Sequence, residues 1–392
     1  MNRIAWKVVF GAIIAVIALC ASAARAIEDD SDDHRTAYKI TDLVSDLAGS
    51  AAHQDTVLQN PWGIAFSPAG GPFWVNDNAT GCSTLYDGTG ATIPLQVRVP
   101  LPGNFVPPST CHHVDPQNPP SPSPAAPTGI VWNPSPRFLV PGTKIPASFI
   151  FATEDGTISA WGGGLNPVDT AIIAADNSAN PTVAGGAVYK ALGFAVNRKG
   201  AFLYATNFRG GTIDVFSPSG PGGTYVLTNT DGGFVDPRIP AGYAPFGLQS
   251  IDGDLFVTYA RQNATRHDDV AGHGHGFVDV FDTDGHLLRR FASRGTLNSP
   301  WAVAPASLNF GAFSGAILIG NFGDGKINAF ARDGRFLGEL EDENGKPLLI
   351  DGLWSLTLGG GAKSSPDTLF FAAGPNGETG GSFGTITPAK HE

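Results

Sequence analysis

The sequence predicts an all-β fold, a six-bladed β-propeller whose last blade is closed by the N-terminal strand. Three observations carry that expectation: the composition, a long-period repeat and an incomplete final unit. Gly 51 and Pro 31 of 392 residues exceed the usual shares of about 7% and 5%, and charged residues reach only 15% against about 25%. This is the composition of many short strands joined by tight turns. One methionine and few helical heptads argue against helix.

Six segments share one plan. They start with "NPWGIAFSPAGGPFWVNDNATGCSTLYDG" at Asn60, "APTGIVWNP" at Ala126 and "KALGFAVNRKGAFLYATNFRGGTIDVFSPSG" at Lys190. The others are "APFGLQSIDGDLFVTYARQN" at Ala244, "SPWAVAPASLNFGAFSGAILIGNFGDGKINAFARDG" at Ser299 and "DGLWSLTLGGG" at Asp351. Each runs from a small residue into an apolar strand, then a turn, a β-rich strand, a polar Gly-rich turn and a third strand. A fourth stretch such as "ATIPLQVRVP" or "HLLRRFAS" usually follows. Aligning the units on Trp62, Thr128, Leu192, Phe246, Trp301 and Leu353 gives spacings of 66, 64, 54, 55 and 52 residues. Three or four strands at such a period describe a propeller blade. A blade exposes apolar faces that only its neighbours can cover, so the ring must close.

The propeller is assigned to residues 37–388. Its sixth unit stops after a third strand, "SFGTITP", while "AYKITDLVSDLAG" before the first unit has strand character and no blade of its own. That N-terminal strand is expected to complete the sixth blade. Trp62, Phe246, Trp301 and Trp354 are expected to be buried near the blade interfaces or the channel.

Residues 1–26 read as a secretory signal peptide: Arg3 and Lys7, an apolar run from Val8 to Leu19, then "ARA" before Ile27. Export to the periplasm or the exterior follows. Cys20 leaves a lipoprotein alternative, although Leu19 is a poor residue before a lipidated cysteine. No later apolar run is long enough to span a bilayer. Residues 27–36, containing "EDDSDDH", read as an acidic disordered leader, and 389–392 as a tail. Without Arg3, Lys7 and Arg25 the chain has 21 basic against 35 acidic residues, a net charge of −14. That charge speaks against nucleic acid and anionic membrane as partners. The expected partner is a protein, a small molecule or a carbohydrate, with the propeller itself a monomer.

Cys82 and Cys111 are the cysteines left after cleavage, and in an exported protein such a pair reads as a disulfide. Two stretches break the repeat. Residues 100–127 hold ten prolines and cannot form a central strand. Residues 261–276, "RQNATRHDDVAGHGHG", split the hairpin of the fourth unit.

In a propeller the hairpin between the second and third strands shares a face with the links between blades. Here that face collects Asn76, Asp77, Cys82, His112, His113, Glu154, Asp155, Asn207, Arg209, Asn321, Asp324, Asn376 and Glu378, with the 261–276 insert. Loops on one rim of a rigid scaffold are where sites usually lie. His267, Asp268, Asp269, His273 and His275 are the candidate ligands of a divalent metal, because imidazole and carboxylate suit such an ion and glycines let the loop fold round it. Their spacing matches no strong metal motif, and the alternative is a polar loop whose aspartates cap turns. A second pair, His112 and His113 in "CHHVD", could share that ion only if both loops bent inward. "GGSFG" fits a Gly-x-Ser-x-Gly pattern, but it lies in a hairpin and lacks the strand–turn–helix context of a nucleophile elbow.

The stretches "NPWGIAFSPAGGPFWVNDNATGCSTLYDG", "RHDDVAGHGHGFVDVFDTDG" and "FAAGPNGETGGSFGTI" resemble an uncharacterised family of exported bacterial proteins, some ending in a PEP-type C-terminal sorting signal. The likeness covers nearly the whole mature chain, and "HDDVAG" and "AGPN" are its most specific parts. The chain ends "TPAKHE", without a sorting signal. The resemblance implies a propeller and supplies no activity. More remotely, the repeats are similar to NHL-type propellers, which serve mostly as interaction platforms. The competing similarity is to metal-dependent lactonase and gluconolactonase propellers, which hold a cation at the channel mouth with Glu, Asn and Asp. Here "WGIAFS", "TGIVWN", "LGFAVN", "FGLQSI", "WAVAPA" and "LWSLTL" contain no carboxylate, and Asp351 is the only acidic residue beside them. The expected function is therefore a binding module using the loop-rich face, with a metal-dependent hydrolase as the alternative. In a hydrolase the 261–276 loop should bring His267, Asp268 or His273 to the channel mouth. In a binding module it can project away, and that outcome is the one expected.

Overall fold

A computed structural model describes residues 36–179, 185–218 and 220–389. The stretches expected to be a signal peptide and an acidic leader, up to Arg35, and the last three residues of the expected tail lie outside the described residues. The described chain forms six separate sheets, one per blade, in a six-bladed β-propeller. No helix among the described residues is long and apolar enough to cross a membrane.

The inner strands are Pro61–Ala65, Pro127–Trp132, Tyr189–Asn197, Tyr243–Ile251, Pro300–Pro305 and Leu353–Leu358. In blades 1 to 5 four consecutive strands follow each other outward. Blade 6 contributes only three, and Tyr38–Ser45 adds itself as the fourth, antiparallel to Ser382–Pro388 with Tyr38 opposite Pro388. The expected closure by the N-terminal strand is what the structure has. His53–Gln54 then extends the same sheet in parallel. Middle strands such as Phe149–Thr153 and Thr157–Trp161 are buried along their whole length. Both of their faces meet neighbouring blades, so Phe149–Thr153 reads as a short, nearly continuous apolar run and even Thr157 and Ser159 of its partner are buried.

Every inner strand begins with the same irregularity. Pro61 pairs with Asp77 but Ile64 with Val75; Tyr189 pairs with Asn207 but Leu192 with Ala205; Pro300 pairs with Asn321 but Ala302 with Gly320. A one-residue bulge of this kind re-aims a side chain. It makes Trp62, Thr128, Lys190, Phe246, Trp301 and Trp354 equivalent across the six blades. The sequence register is thus corrected at two positions: Lys190 replaces Leu192, and Trp354 replaces Leu353. "LGF" in blade 3 mimics the apolar-Gly pairs of the other blades, but the equivalent of Gly63 there is Ala191.

The side chains at this level plug the channel. Trp62 stacks on Trp354 with ring centroids 3.4 Å apart, and Trp301 meets the two edge-on at 6.2 and 6.1 Å. Phe246 packs 5.9 Å from Trp354. All four aromatic residues are buried as expected, Trp301 being the most exposed at 9%. The Trp301 indole N–H donates to the Lys190 carbonyl at 3.2 Å, spanning from blade 5 to blade 3. Adjacent inner strands come very close here. A Cβ on Gly247 would lie 1.9 Å from the Trp301 carbonyl oxygen, so only glycine fits. The plug divides the channel into a mouth, on the side where the inner strands start, and a funnel at their far ends.

Cys82 and Cys111 are bridged, with Cα atoms 5.1 Å apart. The bond ties the proline-rich stretch to blade 1. Gln59 clamps the same stretch, donating to the Val114 carbonyl at 3.1 Å and accepting from its N–H at 2.7 Å.

Candidate functional site

The mouth is built around Lys190, the residue that the bulge of blade 3 turns into the channel. It is only 2% exposed. Its ammonium group donates to Glu154 Oε1 and stands 3.8 Å from Asp268 Oδ1. It also lies 5.1 Å from the centroid of the Trp62 ring and 5.9 Å from that of Phe208. A buried ammonium requires such partners, because desolvation without them is costly.

The carboxylates come from loops. Glu154 sits in the hairpin between the second and third strands of blade 2, and its Oε2 accepts from Asn78 at 3.0 Å. Asn60 donates to Asn78 Oδ1 at 3.3 Å and to Glu378 Oε2 at 2.8 Å, and accepts from the Trp354 indole at 2.9 Å. The 261–276 insert supplies the rest. His267 Nδ1 is 2.7 Å from Asp268 Oδ1 and 3.9 Å from Glu154 Oε1. The candidate ligand atoms of Glu154, His267 and Asp268 all lie within 4.8 Å of one another. Imidazole nitrogen with two carboxylate oxygens suits a divalent transition ion such as zinc. Those residues could hold one.

Bonds within the insert and one to the neighbouring blade hold it inward. Asn263 Oδ1 accepts from the His267 N–H at 3.1 Å, while its Nδ2 donates to Asp268 Oδ2 at 3.1 Å. Gln262 donates to the Phe208 carbonyl of blade 3 and bridges to Asp269. Contrary to the outward projection expected of it, the loop lies over the channel.

Burial sets the protonation of the cup. It pushes the Asp269 carboxyl up, against the pull of Lys190. Glu378 is raised by burial too, despite its bond from Asn60, with Glu154 and Asp269 adding repulsion. The His267 hydrogen bond instead holds Asp268 below the usual range. One ammonium group thus faces four carboxyl groups, two of which resist ionisation.

The other sequence candidates are placed differently. Asn76 is buried and donates to the Thr128 and Gly129 carbonyls, at 3.1 and 3.3 Å, stitching blade 1 to blade 2. Asp77 is wholly buried and pushed well above its usual range by burial and by Asp55. Asn207 accepts from the Gly210 N–H at 3.0 Å and Asn321 donates to Asp324 at 3.0 Å; both are buried turn braces. Asp324 also accepts from Asn298 at 3.2 Å. Asp155 accepts from the Ala126 N–H at 2.8 Å and fixes a link between blades. Arg209 bonds the Gly185 and Gly186 carbonyls. The Asn376 N–H donates to Asp351 at 2.8 Å.

In the insert, His273 is exposed and His275 turns back to the Val270 carbonyl at 2.8 Å, so neither joins the trio. His112 and His113 are exposed and also stay outside it. Sequence reasoning missed Lys190, Asn60 and Asn78. The one available signal was a lysine opening the apolar run "KALGFAV".

No family model matches this chain. By sequence it is similar to an uncharacterised protein of Acanthamoeba polyphaga mimivirus, 33% identical over 324 residues that span 82% of this chain and 74% of the relative. A second uncharacterised protein of that virus is 32% identical over 329 residues, spanning 81% and 78%. The chain belongs to their family. These members are viral and carry no assigned activity, so an exported bacterial origin for the family finds no support in them. Among solved structures, a gluconolactonase from Xanthomonas campestris is 14% identical with a TM-score of 0.45, covering 85% of this chain and 88% of its own. A virginiamycin B lyase from Staphylococcus aureus is 14% identical with a TM-score of 0.47, covering 89% and 99%. Likeness at this level transfers no activity to the family.

Proposed function

We propose that this protein is an exported, monomeric propeller that binds its ligand at the channel mouth through a divalent cation held by Glu154, His267 and Asp268. The supporting observation is the convergence of those three side chains above the aromatic plug, with ligand atoms within 4.8 Å of one another. Zinc takes ligands at about 2.0–2.2 Å, so the three groups would draw in around the ion. Asn60 and Asn78 brace the cup from below, and the ligand would contribute oxygen atoms to the open side of the ion. The test is calorimetric titration of chelator-treated protein with zinc, manganese and calcium. One equivalent should bind the wild type, while Glu154→Gln and His267→Ala/Asp268→Ala should each lose that binding. Equal binding by all three proteins would refute the assignment.

A second reading, a metal-dependent hydrolase, is favoured by one further feature: Glu378 and Asp269 are both raised by burial beside the trio. Carboxyl groups raised by burial are suited to holding and passing protons. A bound cation would supply Lewis-acid polarisation; Glu378 would hold or deliver the proton at its Oε1. A panel of lactones and esters, assayed with and without metal, discriminates this reading from binding alone.

A further inference from the structure

The other end of the channel is a second chamber that the mouth does not use. Below the plug the inner strands enclose a funnel of about 470 Å³, lined by residues from all six blades. This lies within the range of roughly 300–1,000 Å³ typical of small-molecule pockets. No charged residue lines it. A charged ligand would find no counter-charge there.

Its walls combine two features. Phe66, Trp132, Phe194 and Trp301 supply aromatic surface. Each inner strand is also the end of its sheet, so six strand edges without a strand partner face the same space, although side chains cap some of their carbonyls, such as that of Gly129. Unpaired backbone N–H and C=O groups require hydrogen-bond partners. Ser355 adds to that demand. It occupies the position filled by Gly63, Gly129, Ala191, Gly247 and Ala302 in the other blades, and its buried hydroxyl has no partner among the described residues. A purely apolar ligand would strand these groups.

We infer that the funnel binds a neutral saccharide, whose C–H faces pack on the aromatic rings while its hydroxyls satisfy the strand edges. The size, the missing charge and the paired aromatic and backbone lining select that class over anions, cations and hydrocarbons. The site is independent of the cation proposed for the mouth.

The experiment is a calorimetric titration of chelator-treated protein with maltose and cellobiose, alongside glucuronate, glucosamine and 2-naphthol. Saturable one-to-one binding of a neutral disaccharide is expected, with the charged sugars at least tenfold weaker. Gln249→Trp, which places an indole into the funnel from an exposed wall position, should weaken binding at least tenfold while unfolding at the wild-type temperature. Trp132→Ala should weaken it similarly by removing a stacking face. Absence of saturable neutral-sugar binding in the millimolar range overturns the proposal. So does binding of 2-naphthol alone, binding that needs a divalent metal, or binding that Gln249→Trp leaves intact.

Discussion

The two ends of one channel are lined from the same six blades and are chemical opposites. The funnel is made by strand residues and contains no charge. The mouth gathers Glu154, Glu378, Asp268, Asp269 and His267 from loops, with only Lys190 contributed by an inner strand. The difference teaches where chemistry enters a propeller. Inner strands are constrained by blade-to-blade packing and, Lys190 apart, carry no charge. The loops above them can be acidic without disturbing that packing. The absence of inner-strand carboxylates therefore weighs little against a charged site, because the carboxylates descend from the rim.

Four changes break or sharpen this contrast. The largest effect is expected for Trp301→Ala, which opens the floor between the chambers. It should cost about 3–5 kcal/mol in urea unfolding, as for other buried tryptophans. A cost below about 1 kcal/mol would mean that the plug does not hold the ring together.

Lys190→Met removes the ammonium group of the mouth and leaves the carboxyl groups facing each other. Breaking a buried pair in this way should cost about 3–5 kcal/mol at neutral pH. The same variant should bind divalent cations more tightly, since Lys190 no longer competes for Glu154, and added metal should recover part of the stability. Loss of both stability and metal affinity would show that Lys190 organises the trio rather than competing with it.

Reduction of Cys82–Cys111, which lie 29 residues apart, should cost roughly 3 kcal/mol through the entropy of the unfolded chain. Thermal unfolding with and without reductant measures it. The Cys82→Ala/Cys111→Ala variant should match the reduced protein, and the funnel's ligand binding should not change.

The smallest effect is expected for Glu378→Gln. Burial raises the folded-state pKa of Glu378 above the ordinary carboxylate range, so ionisation opposes folding as the pH rises through that range. The glutamine variant should be more stable than wild type at neutral pH, by at most about 1 kcal/mol. The gain should vanish below the ordinary carboxylate range, where both side chains are neutral. A gain that persists in acid would assign the effect to packing instead.

Much of this was legible in the sequence. The blades were readable because turn glycines and short apolar runs are local signals, and Tyr38–Ser45 was identifiable as the missing strand because the sixth unit ended early. His267 and Asp268 were readable as part of a charged, glycine-spaced insert and Glu154 as a residue of the same rim, but nothing in the sequence joined Glu154 to that pair. Lys190 was not, because a lysine at the start of a strand looks solvent-exposed. Its burial arises only when Trp62, Phe208 and Glu154 converge on it from three different blades. The bulge that turns it inward leaves no pattern in the residues themselves. The inward fold of the insert was hidden for a similar reason, since it depends on Gln262 reaching the carbonyl of Phe208 in the neighbouring blade.

The central claim is that the mouth is a divalent-cation site. The most direct test is a crystal structure of zinc-soaked protein with anomalous scattering measured at the zinc edge. The account predicts one strong peak coordinated by Glu154, His267 and Asp268 at about 2.0–2.2 Å, absent in Glu154→Gln. A mouth without an anomalous peak, with Lys190 still bonded to Glu154 at saturating zinc, would contradict it.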